Sequence, residues 1–216
     1  VTTNDDEMID RARKMAMFGE KAVRRGEIRL YDAEIMGFNY RNNEMADALC
    51  RSFPRRYDSL QEGRRKNCYY LNKALGKIKG VRAPEEPEGY IHAWHLYKVR
   101  VYPEILGIKD THPKRFRWAV QKALFEEGVD LFEWHNMPVP AQKVFRNKAA
   151  FGKGCPLNCL HASKNAKCIR YDAFDYPVCV DMFDRSFCIK SIYPPNEQKL
   201  MEYVAEAFVK VFDNLD

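Results

Sequence analysis

Met36-Gly37-Phe38-Asn39-Tyr40-Arg41 runs directly into Asn42-Asn43-Glu44-Met45-Ala46-Asp47-Ala48-Leu49, and the remainder of the chain falls into place around this junction. A glycine, an aromatic ring, an amide, a phenol and a guanidinium stand before a helix start, where backbone N–H groups lack partners and anions are favoured. This is an anion-handling corner in composition. The same letters also suit a Gly-aromatic turn followed by an Asn cap that binds nothing.

The whole chain sets the bounds. With 216 residues and 46% hydrophobic content, it can build one large domain or two small ones around a real core. No run of about 18 apolar residues is present and no basic-then-apolar segment opens the chain, so a cytoplasmic protein without a membrane partner is expected. The net charge of +6 arises from 36 basic and 30 acidic residues, clustered at Arg24-Arg25, Arg55-Arg56, Arg64-Arg65-Lys66 and Lys114-Arg115. Such clusters are solvated helix faces, and they are not interleaved with aromatics as a nucleic-acid platform requires. A phosphorylated or nucleotide-linked small substrate suits the excess better. Seven cysteines, with Cys50 and Cys68 at apolar-side helical positions, point to reduced thiols.

Upstream of the junction, Val1-Thr2-Thr3 reads as the end of a strand whose partners lie elsewhere, and Asn4 and Glu7 have capping-box spacing. Met8, Ile9, Ala12, Met15 and Ala16 then predict a helix over Asp5 to Phe18, stopped by Gly19. Residues 20–35 read as a connecting loop. Downstream, Met45, Ala46, Leu49 and Cys50 form a helical stripe that Pro54 should end or kink. Tyr57, Leu60, Cys68, Leu71, Leu75 and Ile78 predict a longer helix closed by Gly80. Pro84-Glu85-Glu86-Pro87-Glu88-Gly89 is a turn-rich hinge.

Beyond the hinge the pattern alternates. His92 to Tyr102 reads as a strand, Pro113 to Gly128 as a helix capped by Thr111 or His112, and Val129 to Trp134 as a second strand. Residues 136–173 form a long loop carrying Cys155, Cys159 and Cys168, three of the seven cysteines. Cys179 to Phe183 reads as a short helix, Ser186 to Tyr193 as a third strand, and Leu200, Tyr203, Val204, Ala207, Phe208, Val211 and Phe212 as the core stripe of a last helix. The alternation predicts a small α+β layered domain.

Taken in order, these segments resemble the C-terminal part of the DegT/DnrJ/StrS family of pyridoxal-phosphate-dependent sugar aminotransferases, which have fold type I. The likeness rests on Val1 to Glu7 leading to Phe18-Gly19, Gly37-Phe38-Asn39-Tyr40-Arg41 with Glu44 to Leu49, Arg64-Arg65-Lys66-Asn67, Pro87-Glu88-Gly89, and His92 to Tyr97. The resemblance implies an α/β fold in which residues 1–83 finish a large cofactor-binding domain with long helices. Residues 84–89 are then a hinge, and residues 90–216 a three-layer-like small domain with a short antiparallel sheet.

The resemblance also implies amino transfer from glutamate or glutamine to a nucleotide-linked keto sugar or a cyclitol. Asn39 would then reach the cofactor phosphate in the neighbouring subunit of a homodimer, and Tyr40, Arg41 and His135 would border the substrate. An amide donor and a bidentate guanidinium suit those tasks. The family's Schiff-base lysine lies in the preceding segment, and no lysine of this sequence stands in a matching motif. A hetero-assembly with a lysine-bearing partner chain, or a non-catalytic companion or regulatory module on the same scaffold, is the alternative.

Cys155-Pro156-Leu157-Asn158-Cys159-Leu160-His161, with Cys168 and then Cys179 beyond, raises a zinc site, since thiolate and imidazole are good ligands. The spacing matches no common ribbon, so a metal-free, thiol-rich substrate loop is expected. His92 and His95 flank Trp94 on a predicted strand and should face opposite sides, which makes them poor joint ligands. His112 belongs to a helix start.

Overall fold

The computed structural model describes residues 2–21, 28 and 31–215. Val1, the Arg24-Arg25 cluster and much of the connection predicted over 20–35 lie outside the described residues. Contacts gather the chain into two units, Val1–Asp58 and Ser59–Asp216.

The first unit opens with α1, Asp6–Ala16. Its cap is Asp5, whose carboxylate accepts from Met8 N at 2.9 Å, one residue later than the predicted Asn4–Glu7 box. Asp6 and Glu7 in the first turn and Arg13 and Lys14 in the last complement the helix dipole. Thr2 and Thr3 are not in a strand. A strand needs a ladder, and the Thr3 hydroxyl instead accepts from Asp5 N at 3.1 Å and leads into the cap.

The helix α2, Glu44–Leu75, begins where Asn43 Oδ1 accepts from Met45 N at 2.8 Å. It does not end at Pro54, ending being one of the two outcomes expected there. Cys50, whose carbonyl Pro54 leaves without a helical donor, is exposed.

In the second unit a four-stranded antiparallel sheet takes the order β1 (Val81–Arg82), β2 (Tyr97–Val101), β4 (Ser186–Ile189), β3 (Leu131–Phe132). The register sets Tyr97 against Ile189 and Val99 against Phe187. Alternation along β2 buries Tyr97, Val99 and Val101 and turns Lys98 and Arg100 to the other face. That other face lies under α6 (Pro177–Arg185), where Lys98 Nζ is 5.7 Å from the Phe183 ring and Arg100 reaches Met182 Sδ. The apolar face packs with the later half of α2, α3 (Pro113–Glu126) and α7 (Gln198–Asp213) in one cluster. Leu71, Leu75, Val120, Leu124, Ile192, Met201 and Phe208 are its centre.

All three predicted strands are shorter than their composition suggested. The chain is not extended over His92 to Leu96, because Trp94 sits at φ 51° while fully buried. Its ring stacks on His92 at 4.2 Å and on Tyr97 at 6.0 Å, so the aromatic run serves packing rather than pairing. His92 and His95 therefore do not project from a strand: His92 Nδ1 accepts from Trp94 N at 2.7 Å. His112 caps α3 as expected, accepting from Lys114 N at 3.2 Å. The 136–173 stretch is broken by α4 (Lys143–Arg146), α5 (Lys164–Cys168) and a 3-10 turn at Val139–Ala141.

Three amides on α2 hold irregular backbone in place. Asn67 Nδ2 donates to the carbonyls of Ile192 and Asn196 at 3.1 and 2.8 Å, Gln61 Nε2 to Ala93 O at 2.9 Å, and Asn72 Nδ2 to Pro84 O at 3.0 Å. Asn67→Leu removes the donor from the buried Ile192 carbonyl and the part-buried Asn196 carbonyl and is expected to cost about 2 kcal/mol, read by urea unfolding of the full chain. Leu71→Ala, a cavity at the centre of the same cluster, should cost about 3 kcal/mol in the same measurement.

Candidate functional site

The junction that opened the sequence reading is built on the C-terminus of α1. The last carbonyls of a helix lack intrahelical donors, and here the chain supplies them: Phe38 N donates to Met15 O at 2.7 Å and Tyr40 N to Ala16 O at 3.0 Å. Phe18 N donates back to Phe38 O at 2.8 Å, and Met17 and Asn39 form an antiparallel bridge. Glu34 N adds a bond to Gly19 O at 2.9 Å. Lys14 Nζ lies 2.7 Å from Asp10 and 2.6 Å from Glu34, and the hydrogen bonds to these carboxylates raise its pKa.

Gly37 and Gly19 make this crossing possible. A β-carbon on Gly37 would stand 2.0 Å from the Gly19 nitrogen, and one on Gly19 would stand 1.7 Å from Ile35 O. Gly19 also holds φ 82°, open to glycine at little cost. The glycine read in sequence as a turn residue is thus a contact between two backbones.

On this clasp the three predicted side chains emerge within three residues and are all exposed. Arg41 Nε donates to Asn39 Oδ1 at 3.0 Å, and the Arg41 guanidinium lies 5.4 Å from the Phe18 ring. Phe18 itself is held at φ 61°, a costly conformation for an aromatic residue. Tyr40 stacks on Phe38 with ring centroids 5.3 Å apart. With its oxygen engaged by Arg41, Asn39 has its amide N–H₂ as the group to offer a ligand.

His135 belongs to the second unit, just past β3. It is exposed, at φ 58°, with its ring 5.5 Å from Trp134. The preceding Glu133 anchors that strand end, 2.6 Å from Arg117 Nη1 and accepting from Trp118 Nε1 at 3.1 Å. Desolvation pushes Glu133 up, but the hydrogen bond and charge of Arg117 outweigh it and hold the carboxyl below its ordinary value. Neither Arg117 nor Trp118 was singled out in the sequence. An arginine and a tryptophan on an amphipathic helix read as surface, yet Arg117 is 1% exposed.

Cys155, Cys159, His161 and Cys168 do not converge into a metal-binding group: among the described residues no three of His, Cys, Asp and Glu do so. Cys168 ends α5, while Cys155 lies in the turn that Asn158 N closes on Gly154 O.

Comparison with known proteins follows this geometry. The DegT/DnrJ/EryC1/StrS aminotransferase family pattern matches residues 1–169. A pleiotropic regulatory protein of Geobacillus stearothermophilus is 29% identical over 148 residues, which are 67% of this chain and 34% of that protein. The UDP-N-acetyl-3-dehydro-alpha-D-glucosamine 3-aminotransferase of Acidithiobacillus ferrooxidans is 26% identical over 133 residues, 61% of this chain and 31% of its own length. Among solved structures, DesV of S. venezuelae superposes with a TM-score of 0.70 at 19% identity, over 100% of this chain and 47% of DesV. The chain thus spans about a third of the length of the curated relatives it matches.

Two outcomes test the site's architecture. Gly37→Ala should force the backbones apart, cost on the order of 2 kcal/mol or more, and erase hydrogen-exchange protection at Phe38 and Tyr40 while leaving that of Val99 and Phe187 intact. The Glu133–Arg117 pair has a depressed folded pKa, so its contribution is full above the ordinary value of 4.5 and is lost as pH falls through the lower folded value. Glu133→Gln should lose roughly 2 kcal/mol at neutral pH, discounted because the carboxylate is a third exposed, and the gap to wild type should narrow below pH 4.5 in acid titrations.

Proposed function

Because the chain belongs to the DegT/DnrJ/EryC1/StrS aminotransferase family, we propose that it is the C-terminal portion of a pyridoxal-phosphate-dependent sugar aminotransferase. In this reading the acceptor is a nucleotide-linked keto sugar, the donor is glutamate or glutamine, and the assembly is a homodimer. The substrate class is supported by the curated relative that acts on a UDP-linked 3-dehydro sugar. Residues 1–83 finish the large domain, 84–89 form the hinge and 90–216 the small domain.

The observation that carries the assignment of roles is the Asn39–Arg41 hydrogen bond on the α1 clasp. Arg41 Nε occupies the Asn39 oxygen, which favours the amide N–H₂ as a donor to a phosphate, and a donor without a competing lone pair suits a dianion. The guanidinium alongside adds positive charge and a planar fork for a carboxylate or phosphate. These residues fit the cofactor's anionic end. Pyridoxal phosphate, when bound, supplies the electron sink that lets an amino group pass between carbon skeletons.

The chain's own residues bind and orient. Asn39 holds the phosphate of the cofactor in the neighbouring subunit, Arg41 orients an anionic substrate group, and the stacked Phe38–Tyr40 pair walls the pocket. His135, set at the end of β3 and braced by Trp134, borders the sugar. The lysine that bonds the cofactor carbonyl is assigned to residues outside these 216.

The complete assembled enzyme provides the test. Asn39→Ala should weaken cofactor retention about tenfold or more, since a hydrogen bond to a charged group contributes roughly 1.5–3 kcal/mol, read by cofactor absorbance after dialysis. Arg41→Ala should raise KM for the keto sugar more than it lowers cofactor occupancy. Unchanged occupancy and kinetics at an unchanged Tm would remove both roles.

A further inference from the structure

Arg117, in the first half of α3, is 1% exposed, and a guanidinium taken out of water is costly unless acceptors and a counter-charge meet it. Its Nη1 donates to Gln121 Oε1 at 2.6 Å and stands 2.6 Å from Glu133 Oε1. Its Nε finds no acceptor among the described residues. Among those residues Glu133 is the one carboxylate paired with it.

Glu133 is held twice from that helix. The same Oε1 accepts from Trp118 Nε1 at 3.1 Å, so neighbouring residues of α3 grip one carboxylate oxygen. Charge-assisted bonds of this kind fix a direction as well as a distance. An ion pair between two exposed side chains imposes little order. A buried guanidinium is different, because no water takes the place of the carboxylate when it leaves.

What Glu133 carries is a length of chain outside the ladder. Strand β3 has two residues, and its pairing with β4 stops at Phe132. Residues 133–137 make no hydrogen bond from main chain to main chain among the described residues. His135 stands in this stretch at φ 58°, a conformation that persists only where the surroundings impose it. Between Glu133 and His135, the Trp134 ring meets the rings of His95 at 6.0 Å, Phe132 at 6.1 Å and His135 at 5.5 Å, each close to edge-on. The Glu133 carboxylate adds a charged tie to this aromatic packing.

We propose that Arg117 and Trp118 are positioning residues that act through Glu133 to set Trp134 and His135 at the edge of the substrate pocket. The inference rests on the reading of His135 as a border of the sugar site. With Glu133 turned away, the buried guanidinium would keep only the Gln121 amide oxygen as a partner, so other placements of this strand end are disfavoured. That penalty holds His135 in one place before a ligand arrives, and a group already set loses less freedom on binding. The effect falls on the sugar and not on the cofactor, so it appears in KM.

The complete assembled enzyme, labelled with fluorotryptophan, tests this by two readouts. One is the fluorine NMR resonance of Trp134, assigned by its loss in Trp134→Phe, and the other is KM for the keto sugar. Arg117→Met and Glu133→Leu should each lower Tm, whereas the double variant Arg117→Met/Glu133→Leu leaves no unpaired charge and should recover it. In the double variant the Trp134 resonance should still move toward that of the free amino acid, and KM should rise about tenfold with cofactor occupancy unchanged. Trp118→Phe, which takes away only the N–H donor, should give a smaller rise. A Trp134 resonance that stays in place in the double variant overturns the positioning role. So does a KM that returns to the wild-type value together with Tm while His135→Ala raises it. A wild-type KM in His135→Ala overturns instead the reading of His135 on which the inference rests.

Discussion

The second unit depends on how helix α2 meets backbone carbonyls that no ladder serves. Irregular chain inside a core leaves carbonyls that cost free energy unless a donor reaches them. Gln61, Asn67 and Asn72 are those donors, on one helix and spaced so that each meets a different stretch: the approach to β2, the segment after β4, and the exit from β1. Asn72 also accepts from the Tyr97 hydroxyl at 2.7 Å, which joins the same helix to the first residue of β2. A sheet of two- to five-residue strands has too few ladder bonds to fix such connections alone. The helix supplies the order that the sheet lacks.

A parallel logic holds in the first unit, with the roles reversed. There the helix α1 provides the unmet carbonyls, and the segment Phe38–Tyr40 provides the N–H groups. Two glycines let the backbones approach to a distance that no side chain would allow. The result places Asn39 and Arg41 side by side on a rigid helix end rather than on a free loop, which is what a binding group needs in order to be ready before its ligand arrives.

Of the five described non-glycine residues at positive φ, Lys148 and Ala150 lie in the 136–173 stretch and the other three adjoin residues discussed above. Phe18 lies under Arg41, Trp94 anchors the turn into β2, and His135 leaves β3, all at positive φ. Each is held by packing or hydrogen bonds that offset the strain: the Phe38 carbonyl for Phe18, full burial for Trp94, and the Trp134 ring for His135. The chemistry these residues offer is donors, positive charge and aromatic walls. Groups of this kind suit binding rather than covalent chemistry, in keeping with the proposed division of labour.

The sequence by itself determined the long helical segments, the layered class and the identity of the junction, but not the short helices α4 and α5. Apolar spacing over Met8 to Ala16, Cys68 to Leu75, Phe116 to Leu124 and Leu200 to Phe212 is a local property, written into each segment and independent of what it packs against. Asn39, Tyr40 and Arg41 were legible because they are consecutive. Tertiary structure decided whatever depended on a distant partner: that β2 starts at Tyr97 and not at His92, that Gly37 is needed by Gly19, and that helix α2 passes through Pro54. It also decided that Arg117 is buried and paired with Glu133. The physical reason is common to all of these. Periodicity reports which face of an element is apolar, whereas a backbone contact or a buried charge is fixed by the atom on the other side, and that atom is chosen by the fold.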